Sequence, residues 1–248
     1  MLKKLLRVMA VLASLLALLA LGVWARYRHG LPDTTPGDAD ALAQRMLLAV
    51  DASAWDRTGA VRWTFVDGAR HLWDRARGFE RYDKGNLRVL LNLSTRRGRA
   101  WRGGVALDGA QRDRALDTAW KRWVNDSFWL NPVVKAFDQG VVREVVRDDQ
   151  GRASLLLTYR SGGVTPGDRY QWILGANDRP VAWRMWVSVL PIGGLEATWE
   201  DWQRLSTGAW ISTRHRIGPI EHHIDNVVGA ATIATLEPGP DPFALLAR

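Results

Sequence analysis

From Val61 onward the apolar residues recur with a period of two, and turn signals interrupt them every 8–12 residues. Val61, Trp63 and Phe65 alternate with Arg62 and Thr64, and Asp67-Gly68 is a hairpin signal. His71–Arg75, Phe79–Asp83, Leu87–Leu93 and Gly98–Arg102 follow, separated by Arg77-Gly78 and Lys84-Gly-Asn86. Parallel strands need long crossovers, and no helical pattern separates these segments. The spacing therefore predicts an antiparallel meander. It resumes as Val141–Asp148, Ala153–Arg160, Arg169–Leu174, Pro180–Leu190, Leu195–Leu205, Ala209–Ile217 and Glu221–Thr235.

Two helical patterns interrupt it. Leu42, Met46, Ala49 and Val50 place an apolar face on a helix over about Ala39–Ala52, capped by Asp38 or Asp40. Ala115, Ala119, Trp120, Trp123, Val124 and Phe128 form a broad stripe over Gln111–Phe128. The second helix runs into Asn125–Gly140, where Phe128, Trp129, Pro132 and Phe137 crowd together. A segment so apolar and irregular is costly to expose, so it reads as a plug over something concave.

Before the fold stands Val8–Ala25, an 18-residue apolar run broken only by Ser14 and Gly22. It is long for the core of a cleaved signal and just long enough to span hydrocarbon. Residues 1–28 thus read as an export signal or a retained signal anchor. Trp24, Arg26, Tyr27 and Arg28 resemble an interfacial belt. Lys3, Lys4 and Arg7 precede the run, which points the folded part away from the cytoplasm. Residues 29–37 (with Gly30–Gly37 as GLPDTTPG) are a linker, 38–236 the domain and 237–248 a tail.

Cysteine is absent, which excludes disulfides, thiolate zinc sites and a lipid-modified cysteine. The formal charge is +8, and Lys3, Lys4 and Arg7 supply three of these charges. The basic residues are scattered through strands, which argues against nucleic acid and leaves a solvated surface or anionic headgroups.

The motifs His71-Leu-Trp-Asp-Arg75 and Asn125-Asp-Ser-Phe-Trp-Leu-Asn-Pro132, with Lys135 and Asp138-Gln-Gly140, resemble an uncharacterised envelope branch of the LolA-like carriers of outer-membrane lipoproteins. The resemblance implies an α+β fold: a strongly curved antiparallel sheet, an open half-barrel, with two helices covering the concave face. It implies a monomeric, non-enzymatic binding protein without cofactor or metal. Its ligand would be a lipid or an acylated protein. Its place would be the periplasmic side of the bacterial inner membrane, or the soluble periplasm if the signal is cleaved.

The residues carry this expectation independently. Trp63 and Phe65, Leu155 and Leu157, Tyr170 and Trp172, Trp183 and Met185, and Ala197 and Trp199 sit two apart, so each pair shares a side of its strand. If the sides coincide, they make an aromatic ligand wall; otherwise they make a filled core. The expected ligand-binding set is Trp63, Phe65, Trp120, Trp123, Phe128, Trp129, Leu155, Leu157, Trp172, Trp183, Met185 and Trp199. An enzymatic alternative would gather His71, Asp74 and either His222 or Asp225. His222 and His223 are adjacent and point to opposite strand faces. Glu196, Glu200 and Asp201 form an acidic edge beside Trp199 and Trp202. No G-x-S-x-G, H-E-x-x-H or phosphate loop occurs. A third expectation is an anchored interaction module without a small ligand.

Overall fold

The computed structural model describes residues 2–27, 29–190 and 192–246; in the first helix the side chains of residues 2, 3, 20, 23, 26 and 27 are not described. Arg26, Tyr27 and Arg28 of the expected belt therefore lie outside the described side chains. Helix α1 spans Leu2–Tyr27, α2 Ala39–Ala49 and the short α3 Ala52–Asp56. Strands β1 (Ala60–Thr64), β2 (Arg70–Asp74), β3 (Phe79–Lys84), β4 (Leu87–Asn92), β5 (Gly98–Arg102) and β6 (Val105–Ala106) precede α4 (Gly109–Leu130). A 3-10 turn at Val133–Lys135 leads to β7 (Val141–Arg147), β8 (Ala153–Tyr159), β9 (Arg169–Leu174), β10 (Pro180–Trp186) and β11 (Gly193–Thr198). The chain ends with β12 (Glu200–Arg204), β13 (Trp210–Ile217), β14 (Ile220–His223), β15 (Asp225–Ala230) and α5 (Ile233–Leu236).

The fold is α+β, with antiparallel pairing throughout three sheets. Their strand orders are β15-β1-β2-β3-β4-β5-β6, β11-β10-β9-β8-β7 and β12-β13-β14. Single residues separate β11 from β12 and β14 from β15: Trp199 and Ile224. The three sheets are thus linked edge to edge through two kinked strands. Just past each kink stands a non-glycine residue of positive φ, Asp201 at 50° and Asn226 at 54°. Aspartate and asparagine tolerate that conformation better than other side chains do.

Alternation then sorts the faces. Val61, Trp63, His71, Glu80, Tyr82, Val89, Leu91 and Ala100 share one face of the first sheet, as the strand registers require. Helix α4 packs there through Ala115, Leu116 and Ala119. Helix α2 buries Leu42, Ala43 and Met46 against Leu155, Leu157 and Trp183 of the second sheet.

Four boundaries depart from the expectations. The helix expected over Ala39–Ala52 stops at Ala49, because Asp51 takes a left-handed conformation and its carboxylate accepts from the Ala54 amide at 3.1 Å, starting α3. β10 ends at Trp186, and the next residues turn, the Leu190 amide donating to the Val187 carbonyl at 3.1 Å. The strand expected over Leu195–Leu205 is bent at Trp199. The strand expected over Glu221–Thr235 is broken at Ile224 into β14 and β15, which join different sheets, and it ends in α5, whose Thr232 hydroxyl accepts from the Thr235 amide at 3.1 Å. The segment after residue 236 is also more than a tail. Phe243 is fully buried against Phe79, and the two terminal Arg77 guanidinium nitrogens hold Asp241, at 2.7 and 2.8 Å.

One close approach gives a direct test. A Cβ on Gly98 would lie 2.0 Å from the Leu90 carbonyl oxygen in the neighbouring strand. Gly98→Ala should lower unfolding free energy by roughly 2–3 kcal/mol in urea titration, whereas Gly30→Ala, with nothing within 4 Å, should leave it unchanged.

Candidate functional site

The most concentrated chemistry lies where β2 and β3 meet α4. His71 pairs in register with Tyr82, and Glu80 with Trp73, so His71 and Glu80 are diagonal neighbours on the helix-facing side. His71 Nδ1 lies 2.8 Å from Glu80 Oε1, and Nε2 lies 2.9 Å from Asp126 Oδ2. Helix α4 supplies Asp126 and, one turn earlier, Arg122. Arg122 Nη2 stands 3.1 Å from Asp126 Oδ2 and 2.9 Å from Asp67 Oδ2, as ion-pair contacts without hydrogen-bond alignment. Asn125 donates to Asp126 Oδ1 at 2.8 Å. Trp63 stacks on the imidazole at 4.4 Å and 8°.

The side chains of His71, Glu80 and Asp126 are all wholly buried. Burial opposes the imidazolium, but hydrogen bonds to Asp126 and Glu80, and the charges they carry, outweigh it and push His71 up to about 9. Burial raises Glu80 to about 7, against the pull of His71. Glu80 Oε2 has no hydrogen-bond partner among the described residues, which adds to the cost of ionising it. The chemistry is acid–base in type, yet His71, Glu80 and Asp126 are all sealed from solvent, and the three act as a clamp between sheet and helix.

This is a different grouping from the enzymatic alternative. Asp74 points to the opposite face from His71 and holds Arg77 at 2.6 Å. His222 lies against Trp129 at 6.3 Å. The acidic edge is ion-paired: Glu196 to Arg184, Glu200 to Arg214 and Arg216, and Asp201 to Arg214.

The expected ligand-binding residues divide among three apolar clusters rather than one wall. Leu155, Leu157, Trp172, Trp183, Met185 and Trp199 are buried with α2, Val133 and Ala136, and Phe128 and Trp129 pack against them. Trp63 belongs to a second cluster with Leu130 and Ile211, joined by Trp123. Trp120 joins a third with Val89 and Leu91, and Phe65 touches the second and third. Trp183 meets Trp129, Trp172 and Trp199 at 4.9, 5.1 and 5.0 Å. These residues are packed among the protein's own side chains in three clusters. The strand period fixes which side Trp183 faces, but α2 and the end of α4 decide what fills that side. The Nε1 atoms of Trp172, Trp183 and Trp199 and His215 Nε2 lack hydrogen-bond partners among the described residues.

Sequence reasoning missed a basic groove on the other face of the first sheet. Two adjoining cavities of about 530 and 340 Å³ share Arg70, Arg81, Asp83 and Arg88. The signal was present, since Arg62, Arg70, Arg81 and Arg88 all occupy positions that alternation turns away from α4.

No protein-family model matches this chain, and no curated protein matches it at a significant level. These comparisons give the LolA-like resemblance no support.

The clamp has a pH signature. A raised histidine value contributes stability that is fully present below about 6.5 and lost as pH rises through about 9. The raised Glu80 value acts in the same sense, its contribution fading as pH rises through about 7. Thermal and urea unfolding should show stability falling by roughly 3 kcal/mol between pH 6.5 and 9.5. His71→Gln should be less stable at pH 6 and should lose most of that slope.

Proposed function

We propose that this protein is a non-catalytic binding module of a bacterial cell envelope, held at a bilayer by α1. Its folded domain would lie on the periplasmic side. The observation that supports this reading most is the surface of α1. Leu5, Leu6, Leu12, Leu15, Leu16, Leu18, Leu19 and Leu21 are each more than half exposed. A helix apolar all round requires an apolar surrounding. Among the described residues no helix is long and apolar enough to cross a membrane. Ala20 and Val23 interrupt the described side chains, whereas the sequence itself runs apolar through Val8–Ala25. The basic residues preceding that run favour a cytoplasmic N-terminus. The enclosure of His71, Glu80 and Asp126 supports a binding role over a catalytic one. No single sheet is closed or strongly curled, so a half-barrel of the kind the LolA-like resemblance implies would have to arise from the three sheets together, linked at Trp199 and Ile224.

Membrane fractionation tests the anchor. The full chain should sediment with membranes and resist carbonate extraction. Leu12→Lys with Leu16→Lys should release it, because each central lysine costs about 2.5–3.5 kcal/mol of insertion free energy. A full chain found in the soluble fraction contradicts the reading.

A second reading, with a lipid or an acylated protein on the aromatic wall, is favoured by the unpartnered indole N–H groups of Trp172, Trp183 and Trp199. Buried donors without partners are costly and suit the ester or amide oxygens of an incoming acyl ligand. Entry would require Phe128 and Trp129 to move. Trp183→Phe keeps an aromatic ring, with less bulk, and removes the donor. On this reading it weakens binding of a fluorescent fatty amide about fivefold, the worth of about one hydrogen bond. Unchanged affinity removes this second reading.

A further inference from the structure

The groove opposite α4 is built by four adjacent strands, each contributing one arginine to the same face. Arg62 and Arg81 stand in register on either side of Leu72, and Arg70 and Arg88 on either side of Asp83. Neighbouring strands are about 4.8 Å apart, so four guanidinium groups share one small patch. Such like charges repel unless something neutralises them.

The protein neutralises them only in part. Asp83 accepts from Arg88 Nε at 2.7 Å and lies 3.4 Å from Arg81. Glu237 lies 3.3 Å from Arg62 and 3.8 Å from Arg81. Two carboxylates against four guanidinium groups leave two positive charges. Arg70 is exposed and has no partner among the described residues.

The groove continues into an apolar half. Leu90 and Trp101 form its floor and Leu245, 40% exposed, stands on its rim; the buried Phe243 ring holds that terminal segment down. Trp101 pairs in register with Arg88, which places the indole next to the basic array. A basic half joined to an apolar half, with 530 Å³ of space in the larger cavity, accommodates a small amphiphile.

We infer that this groove binds an amphiphile bearing a phosphate monoester, its phosphate held by Arg70 and Arg88 and its apolar portion lying on Leu90 and Trp101. A phosphate monoester carries about −1.5 to −2 charges near neutral pH, which matches the two uncompensated positive charges. Guanidinium groups bind phosphate through paired N–H donors, and aligned donors on rigid strands lose little freedom on binding. A zwitterionic headgroup matches the charge poorly. The groove does not depend on how α1 meets a membrane.

Titration of the full chain in neutral detergent, followed by isothermal calorimetry, tests this. The probes are dihexanoyl phosphatidic acid, dihexanoyl phosphatidylcholine and inorganic phosphate. The inference predicts saturable binding of the phosphatidic acid, at least tenfold tighter than either other probe. Arg70→Ala should weaken it about tenfold with unchanged urea unfolding, since Arg70 anchors nothing within the fold. Trp101→Leu should weaken phosphatidic acid but not inorganic phosphate. Equal binding of inorganic phosphate and phosphatidic acid overturns the amphiphile and leaves a free-phosphate site. Equal binding of the two lipids, or an Arg70→Ala variant that binds like the parent, overturns the groove assignment altogether. None of these outcomes bears on membrane fractionation, so the two readings fail separately.

Discussion

A charged imidazole sealed inside an apolar interior is the constraint on which the rest of this structure turns. His71 sits between Glu80 on the neighbouring strand and Asp126 on α4, under the face of Trp63. Removing charges from water costs several kcal/mol per ion, and only close, well-aligned partners return it. Here the partners come from two different layers. The attraction therefore fixes the rotation and height of α4 over the first sheet, where leucines and alanines alone would tolerate sliding. The positions of Ala115, Ala119 and Leu130 follow from that registration, as does the delivery of Phe128 and Trp129 into the second sheet's core.

Around this clamp the sheets behave as one sequence of neighbours broken at two kinks. Trp199 and Ile224 interrupt pairing where the strand changes direction, and both are buried. Their side chains sit in two different apolar clusters, joined by Trp129, which touches each. The consequence is a division of labour between the two faces of the first sheet. One face is closed by α4 and carries the internal charge cluster. The other is only partly covered by α5 and Phe243, and there the uncompensated arginines meet solvent.

Much of the fold was legible in the sequence because it depends on local chemistry. Turn residues and the period of two located the strands, and β5 and β9 begin and end where the pattern does. The helical stripe of Ala115, Ala119 and Trp123 located α4. The failures are non-local. Nothing near Trp199 announces a kink, since the strand pattern continues through it. Asp51 was hidden because an aspartate inside an apolar helical period reads as one polar position rather than a new cap. The site was less legible still. His71 was singled out, but its partners are 9 and 55 residues away in sequence, and only the pairing of β2 with β3 and the docking of α4 bring them together. The sequence put the two members of each aromatic pair on one side of a strand, yet sharing a side does not tell whether a space is empty. The basic groove arises from four arginines on four strands, a pattern that appears only once the register is known.

The clamp requires His71 to be an imidazolium held between Asp126 and Glu80. Nitrogen-15 NMR of the ring, recorded on the full chain across pH 6 to 10, tests that most directly. It should show both ring nitrogens protonated through neutral pH, with a transition near 9. A single neutral tautomer at pH 7, with one nitrogen unprotonated, would contradict the clamp and everything built on it.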